Sequence, residues 1–292
     1  MRVARFCSSR FADERERPRV MPIQSIGSRP PIYLIHDLLG DVDCYRGLAG
    51  ALGPDQPVYA LLSFSSDLQG LQSIEGLATS YLTDLRAIDP TGPYILGGFS
   101  FGGTVAFEMA RQLEEMGEET ILVVMIDSWT AAADCKLRSR EQLSIVWRKT
   151  REQGLLYLAS KLRNKCVYWT HRLRNIFFNL TGRFCRGLHL EPPSRVYLAL
   201  LEKENRRAIR AYQPRVYHGP VLLAVCSRTW DVLSKRQNPF FGWDVLAAQR
   251  LEIHGIDAEH MSIMEEPSIR EVAQRIKEKL TALDNVEKMR AK

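Results

Sequence analysis

The sequence lacks a long hydrophobic run: no window of its 292 residues approaches the roughly 18 apolar residues that a membrane-spanning helix needs. It also lacks a CxxC pair or a histidine spacing that would complete a metal site. Its six cysteines, at positions 7, 44, 135, 166, 185 and 226, are scattered. We therefore expect no metal, and free thiols in a reducing compartment, which favours a cytoplasmic location.

The first 20 residues lack the features of a targeting segment. They are rich in arginine, but Asp13, Glu14 and Glu16 argue against a transit peptide, and no apolar run indicates a signal peptide. We expect a disordered basic tail at 1–20, although a true start at Met21 is a second interpretation. The folded domain is expected over residues 21–285, followed by a short tail at 286–292.

Internal repeats and low-complexity tracts are absent as well, and the content of 45% hydrophobic and 25% charged residues is typical of a globular chain. Short β-like runs alternate with helical patterns over most of the length. This alternation predicts an α/β fold with a mostly parallel sheet and helices on both faces. The predicted strands are 31–36, 57–62, 94–98, 121–126, 221–225 and 250–253, and the predicted helices include 74–88, 101–116 and 268–283.

A helical insertion interrupts this alternation at about 130–195. Between Lys136 and Leu190, thirteen Lys and Arg residues stand against two acids, although the whole chain has a net charge of only +6. Apolar residues repeat at helical spacing from 151 to 180, and several basic residues lie off that stripe: Lys161, Arg163, Lys165, Arg172 and Arg174. Such a concentration of positive charge often marks a surface that meets an anionic partner.

One serine lies in the motif G-x-S-x-G at residues 98–102, within YILGGFSFGGTVAFEMA. A strand pattern precedes Ser100 and a helical pattern follows it, and small residues surround the turn. This is the context of a nucleophile elbow, which exposes a reactive hydroxyl at the end of a strand. The alternative is a glycine-rich turn that packs tightly or binds phosphate. We predict that Ser100 is a nucleophile.

A serine nucleophile needs a base and an acid that orients the base. His254 and His260 lie near the end of the last predicted strand, and His260, further out in the loop, is the better candidate base. Asp127 and Asp231 both follow strands and are both candidate acids. The residues alone leave Asp127 and Asp231 open.

These motifs together resemble the thioesterase domains of nonribosomal peptide and polyketide synthases, which have the α/β-hydrolase fold. The resemblance rests on GGFSFGGTVAFEMARQL, on the strand ending MIDS and on HMSIMEEP, and it extends from about Met21 to Leu283. In that family the acid commonly follows the strand after the elbow helix, which favours Asp127. The family also carries a variable helical lid, which corresponds to the insertion at 130–195.

The resemblance also implies an oxyanion hole made of two backbone N–H groups. One should come from Phe101, directly after the nucleophile. The other should come from the loop HDLLG after the first predicted strand, where Leu38 is the candidate donor. Many family members have glycine at the position of Asp37, so the path of this loop is left open. His36 is expected to shape the loop rather than to transfer protons.

The implied reaction is acyl transfer through an acyl-Ser100 ester. The substrate would be carried on the phosphopantetheine arm of an acyl or peptidyl carrier protein, so that the enzyme itself needs no cofactor. Water, an internal nucleophile or an external acceptor could each release the chain, which makes an acyltransferase or cyclase the alternative enzyme. A carboxylesterase and a non-catalytic docking module are further alternatives.

The sequence allows several interpretations of the basic insertion. It could form the docking face for an acidic carrier protein, or its basic residues could simply be solvated. Aromatic residues in the insertion allow a third interpretation, contact with a membrane surface, which is not favoured. Nucleic-acid binding is not expected, because no known recognition module is present.

Overall fold

The computed structural model describes residues 19–63, 73–128, 193–227 and 250–290, together with residues 181, 184, 185, 242, 243, 246 and 247. These residues belong to two compact units. One unit contains residues 181, 184, 185 and 193–200, and the other contains the rest. The five basic residues predicted on the insertion lie outside the described residues, and the predicted domain boundaries stay predictions.

Seven strands of the larger unit form a single sheet in the order β1-β3-β2-β4-β5-β6-β7. Only β1 is antiparallel to its neighbour, and the other pairs are parallel, as the sequence predicted. The sequence did not predict β1, which contains Pro22; a proline fits here because β1 is an edge strand. The strands are Val20–Gln24 (β1), Ile32–Ile35 (β2), Val58–Leu61 (β3), Tyr94–Phe99 (β4), Thr120–Ile126 (β5), Val221–Cys226 (β6) and Leu251–Ile256 (β7).

The helices in the described residues are Tyr45–Leu52 (α1), Ile74–Ile88 (α2), Phe101–Glu115 (α3), Ser194–Ala211 (α4) and Ser268–Arg290 (α5), with a 3₁₀ turn at Ser262–Met264. The bounds of α2 agree with the sequence prediction, because Ser73 accepts the N–H of Gly76 and so caps the start of the apolar stripe. Helix α5 continues beyond Leu283, where the sequence predicted its end. Within the described residues, no helix is both long enough and apolar enough to cross a bilayer.

The sheet separates two layers of hydrophobic core. Side chains of α2 and α3 pack on one face, and those of α1 and α5 pack on the other. Successive strand residues alternate between the two, so that Leu223 and Val225 face the first cluster whereas Ala224 and Cys226 face the second. A mostly parallel sheet with this strand order, an antiparallel first strand and helices on both faces has the α/β-hydrolase architecture, which confirms the predicted fold class.

The smaller unit is described over only a few residues. At the start of α4, the carbonyl of Pro193 accepts hydrogen bonds from the N–H groups of Val196 at 2.8 Å and Tyr197 at 3.0 Å. Cys185 in this unit and Cys226 in the larger unit are buried, and Cys44 is half-buried. Among the described residues, these three cysteines form no disulfide.

Candidate active site

Ser100 lies in the sharp turn between β4 and α3. Its backbone has φ 54° and ψ −110°, a region that residues with a side chain rarely adopt. The N–H of Ser100 donates to the carbonyl of Ile126 at 2.8 Å, which attaches the turn to the end of the neighbouring strand β5. The side chain is only half-buried. The turn therefore has the backbone strain and the exposure expected of a nucleophile elbow.

Glycines are needed at positions 98 and 102 of this turn because neighbouring backbone atoms occupy the space that a side chain would fill. A Cβ on Gly98 would lie 2.4 Å from the carbonyl carbon of Gly102. A Cβ on Gly102 would lie 2.3 Å from the carbonyl oxygen of Ile35, at the end of β2. The start of α3 is thus pressed directly against the ends of β4 and β2, which sets the position of Ser100.

Asp127 and His260 are in direct contact. Asp127 follows β5, His260 follows β7, and His260 Nδ1 lies 2.5 Å from Asp127 Oδ2. The Asp127 side chain is fully buried, whereas the His260 side chain is 32% exposed. The imidazole also packs on the ring of Phe99, the residue before Ser100, with ring centroids 4.8 Å apart. The carboxyl ends of β4, β5 and β7 therefore bring Ser100, Asp127 and His260 to one edge of the sheet.

The loop that carries His260 is held from within. The hydroxyl of Ser262 accepts the N–H of Glu259 at 3.0 Å and donates to the carbonyl of Glu259 at 3.2 Å. Ile263 and Met264 are buried and anchor the 3₁₀ turn in the core, while Met261 between them and His260 is 69% exposed. In the pattern HMSIM, the hydrogen bonds of Ser262 and the burial of Ile263 and Met264 therefore hold the loop, while the imidazole of His260 stays partly exposed.

The segment after Asp127 is fixed by a buried tryptophan. The Nε1–H of Trp243 donates to the carbonyl of Ser128 at 3.1 Å, and its ring packs on Phe107 of α3. The Asp127 N–H donates to the carbonyl of Ala224 at 2.7 Å. Asp127 itself has φ 45°, a left-handed conformation that aspartate tolerates better than most residues. The backbone on both sides of the carboxylate is therefore constrained.

The loop after β2 is organised by the carboxylate of Asp37. Its Oδ1 accepts the N–H groups of Leu39 and Asp41, each at 2.8 Å. Burial raises the pKa of Asp37, and this effect is opposed by those two N–H donors and by the nearby His260. Among the described residues, the N–H of Leu38 donates to no acceptor, while its carbonyl accepts from Asn205 Nδ2 at 3.0 Å. The loop thus presents one N–H that its own structure does not use.

His36 also stabilises the loop after β2. Its Nδ1 lies 2.6 Å from the carbonyl of Asp37, and its Nε2 lies 2.6 Å from the hydroxyl of Tyr81. The ring stacks on Phe101, with centroids 5.6 Å apart. His36 is 1% exposed. These contacts agree with the expectation that His36 shapes the loop.

The sequence matches the family model described as "Thioesterase domain" over residues 30–280. The chain belongs to the thioesterase domain family. The match covers most of the chain and includes the turn at Ser100, the acid Asp127 and the loop of His260.

Curated relatives of this thioesterase domain are much longer proteins. The chain is 29% identical to malpinin synthetase of Mortierella alpina over 243 residues, which is 82% of this chain and 3% of the relative. It is 35% identical to a dimodular nonribosomal peptide synthase of Bacillus subtilis over 112 residues, which is 38% of this chain and 5% of the relative. The chain therefore spans only a small part of the length of these relatives.

Solved structures of thioesterase domains share the fold. The NocB thioesterase domain, solved as a covalent complex with a fluorophosphonate nocardicin G analogue, has a TM-score of 0.60 at 23% identity, with 90% of this chain and 99% of that chain covered. The Vlm2 thioesterase domain has a TM-score of 0.58 at 15% identity, with 89% and 96% covered. At these identities the likeness shows the fold.

The structure brings together most of the residues that the sequence predicted for the thioesterase site. Ser100, Phe101, Leu38, Asp127 and His260 all lie at the carboxyl edge of the sheet. The alternative base, His254, lies inside β7 with Nε2 2.6 Å from Glu252. The alternative acid, Asp231, lies outside the described residues. In the described residues, no group of three or more His, Cys, Asp or Glu side chains is placed to hold a metal ion.

Sequence reasoning missed two residues that contact the site. Tyr45, in α1, places its hydroxyl between the ends of β2 and β4. Cys226, at the end of β6, contacts the carboxylate of Asp127. Neither residue belongs to a local motif. The strand order and the facing of β6 could have indicated Cys226, whereas Tyr45 depends on how α1 packs against the sheet.

A separate cleft lies at the opposite edge of the sheet. It has a volume of about 950 Å³ and is lined by residues at the amino ends of β5, β6 and β7, among them Glu119, Thr120, Pro220, Arg250 and Leu251. Because Ser100 lies at the carboxyl edge, this cleft is not part of the site.

Proposed function

We propose that this chain is a serine thioesterase that releases an acyl, polyketide or peptidyl chain from the phosphopantetheine arm of a carrier protein. The observation that carries the proposal is the 2.5 Å contact between His260 Nδ1 and Asp127 Oδ2. This pair lies beside the strained turn that holds Ser100. A base, its orienting acid and an exposed hydroxyl at one sheet edge are the requirements of acyl transfer.

Asp127 acts on His260 and not on the substrate. When Oδ2 accepts the Nδ1–H, the lone pair of the imidazole is at Nε2, where it can remove the proton of Ser100. The buried carboxylate also stabilises the positive charge that the imidazole gains. The ring of Phe99, which packs against the imidazole at an interplanar angle of 31°, restricts the orientation of His260 while this happens.

In the first half-reaction, Ser100 Oγ bonds to the thioester carbonyl carbon as its proton passes to His260 Nε2. The tetrahedral intermediate then breaks its C–S bond, and Nε2–H returns the proton to the leaving sulfur. The products are a free thiol and an acyl-Ser100 ester. The electron pair of the cleaved bond leaves with the sulfur, so no oxidant or reductant is needed.

The oxygen of the tetrahedral intermediate carries a negative charge that two backbone N–H groups would stabilise. The N–H of Phe101 lies in the first turn of α3, where helix N–H groups have no partner within the helix. The N–H of Leu38, which no described acceptor uses, would supply the second donor. Each such donor is worth about a hundredfold to a thousandfold in rate.

In the second half-reaction, His260 removes a proton from water as the water oxygen bonds to the acyl carbon. The bond to Ser100 Oγ then breaks, Oγ takes the proton from Nε2, and the free acid leaves. An amine or hydroxyl in place of water gives an amide, an ester or a macrocycle by the same proton transfers. The acceptor is therefore decided by what reaches the ester, not by the three catalytic side chains.

The substrate class is supported by the relatives, which include malpinin synthetase and a dimodular nonribosomal peptide synthase. Such proteins are longer than this chain, so the thioesterase domain would act on a chain delivered by a carrier protein. The basic insertion is a candidate docking face for that carrier, with Lys161, Arg163 and Lys165 among its positive residues.

The test is to incubate the full chain with a panel of acyl-pantetheine thioesters and with a fluorophosphonate probe, followed by intact mass spectrometry. We expect one acyl or phosphonyl group per chain, located on Ser100 by peptide mapping. Ser100→Ala should remove it, and Asp127→Asn should slow turnover on the order of 10⁴-fold. The matched control is Ser28→Ala, because Ser28 is exposed and precedes the amino end of β2, at the edge of the sheet opposite Ser100. This variant should be labelled as the wild type is.

The products then distinguish the alternatives. Free acid as the product supports hydrolysis, whereas an amide or ester formed with added acceptors supports an acyltransferase or cyclase. Faster turnover of the matched oxygen ester would instead indicate a carboxylesterase. No label and no adduct on the folded wild-type chain would overturn the proposal in favour of a docking module.

A further inference from the structure

Cys226 is the last residue of β6, and both of its donors point at one carboxylate. Its backbone N–H lies 3.1 Å from Asp127 Oδ1, and its Sγ lies 3.1 Å from Asp127 Oδ2. The residue is 0% exposed. A carboxylate can only accept, so the sulfur makes this hydrogen bond as the protonated thiol.

The thiol and the imidazole share an oxygen. Asp127 Oδ2 is contacted by His260 Nδ1 at 2.5 Å and by Cys226 Sγ at 3.1 Å, while Oδ1 receives the backbone N–H of Cys226. Cys226 therefore contacts both oxygens of the acid. Donors on both oxygens restrict the rotation of the Asp127 carboxylate.

The position of this thiol follows from the sheet. β6 pairs with β5 in parallel, with Ala224 opposite Ile126, so Cys226 lies two residues beyond the last paired position, beside the segment that contains Asp127. Its side chain faces the same cluster as Ala224, on the side where α5 packs. Val225 faces the other cluster.

We propose that Cys226 is a positioning residue that, through its thiol and its backbone N–H, fixes the orientation of the Asp127 carboxylate toward His260. This inference rests on the proposed function, in which Asp127 orients the base. The backbone N–H would remain with any side chain, so the contribution specific to cysteine is the thiol donor on Oδ2.

The thiol of Cys226 also reduces the negative charge of the Asp127 carboxylate beside His260 Nδ1. A donor on Oδ2 withdraws electron density from the carboxylate, and its removal leaves more negative charge beside Nδ1. The imidazolium form of His260 is then stabilised, and the neutral form that acts as base is lost at a higher pH. Among the described residues, Asp37, from the loop after β2, is a further ionisable group that interacts with His260, and Asp37 in turn interacts with the thiol of Cys44.

Three substitutions separate the donor from the volume of the side chain. Cys226→Val removes the donor and keeps the space filled, Cys226→Ala removes both, and Cys226→Ser keeps a donor in a smaller side chain. We expect Cys226→Val and Cys226→Ala to raise the pH at which kcat/KM falls on the acid side of the profile by about half a unit. At pH values below that point, kcat/KM should then be about threefold lower than in the wild type. Cys226→Ser should leave the pH of this fall unchanged.

The titration of His260 is followed in parallel by NMR of histidine-labelled full-length protein, with His260→Gln to assign its signal among the six histidines. The valine and alanine variants should titrate at higher pH than the wild type. Val225→Ala, which deletes buried atoms from the same strand on the opposite face, should not shift the titration. Asp37→Asn measures the separate contribution of the second carboxylate.

A shift shared by alanine and serine but absent in valine would overturn the proposal, because it would follow volume and not the donor. An unshifted titration in both donor-less variants would overturn it too. Since NMR needs no substrate, this outcome is distinct from failure of the proposed function, which would appear as an unreactive wild-type Ser100.

Discussion

The hydroxyl of Tyr45 accepts a hydrogen bond from the backbone N–H of Phe99, the residue immediately before Ser100, at 2.9 Å. The same hydroxyl donates to the carbonyl of Ile35 at the end of β2, at 2.5 Å. It therefore connects two neighbouring strands at the point where α3 is pressed against them. The tyrosine is fully buried, so no water can replace it without a change in packing.

We predict that Tyr45→Phe destabilises the protein by about 1–3 kcal/mol, because it leaves the N–H of Phe99 and the carbonyl of Ile35 buried without partners. Turnover should fall as well, since Ser100 follows directly. Thermal unfolding and thioester hydrolysis measure the two effects. Tyr33→Phe is the control: its hydroxyl bonds the side chain of Asp89, away from the elbow, and its loss should spare turnover. Equal loss of activity in both variants would contradict the prediction.

Two glycine substitutions should have opposite effects on stability. Gly102→Ala places a Cβ 2.3 Å from the carbonyl oxygen of Ile35, a rigid backbone atom, so we expect a loss of about 3 kcal/mol or more, or no folded protein. Gly50→Ala, in the exposed face of α1, meets nothing within 4 Å. It should stabilise by about 0.5–1 kcal/mol. Chemical denaturation compares the two, and a well-tolerated Gly102→Ala would show that the elbow can shift.

Two substitutions of Asp37 should differ in their effect on activity. Asp37→Asn retains an oxygen that can accept the N–H groups of Leu39 and Asp41, whereas Asp37→Ala removes it. We expect alanine to lower kcat on the order of tenfold to a hundredfold with a smaller change in KM, because a displaced Leu38 N–H would no longer meet the oxyanion. Asparagine should retain most of the activity. Steady-state kinetics on an acyl-pantetheine substrate would contradict the prediction if both variants behaved alike.

Glu108 in α3 is a buried carboxylate with several donors. Arg111 contacts it through two nitrogens at 2.8 and 2.7 Å, Gln112 at 2.9 Å and the hydroxyl of Tyr212 at 2.8 Å. Burial by itself would raise the pKa of Glu108, but these hydrogen bonds outweigh it and hold the pKa below its ordinary value. The network joins α3 to the segment that follows α4.

Glu108→Gln should therefore cost about 3 kcal/mol near neutral pH, because Arg111 loses its buried charge partner and keeps the exposed Glu115. A folded-state pKa below the unfolded value means that the contribution of the carboxylate is complete above the unfolded pKa and is lost as the pH falls through the folded one. The difference from wild type should shrink below about pH 4.5. Denaturation at several pH values measures it. Glu202→Gln, from an exposed pair with Arg206, should cost under about 1 kcal/mol at any pH.

Local conformation was readable from the sequence because it depends on neighbouring residues. The helix Ile74–Ile88, the strand before Ser100 and the position of the turn followed from apolar spacing and flanking glycines. The strand β1 was not readable, since Pro22 weakens its pattern and its pairing with β3 is made across the edge of the sheet.

The alternation of strands and helices from β2 onward, the turn at Ser100 and the shortlist of acids and bases were determined by the sequence alone. Which groups touch was decided by tertiary structure: His260 meets Asp127 across 133 residues, and Cys226 meets the same carboxylate across 99. The physical reason is that backbone preference is set within a few residues, whereas a contact between strand ends depends on strand order, register and the face that each side chain occupies. No local pattern carries those three quantities.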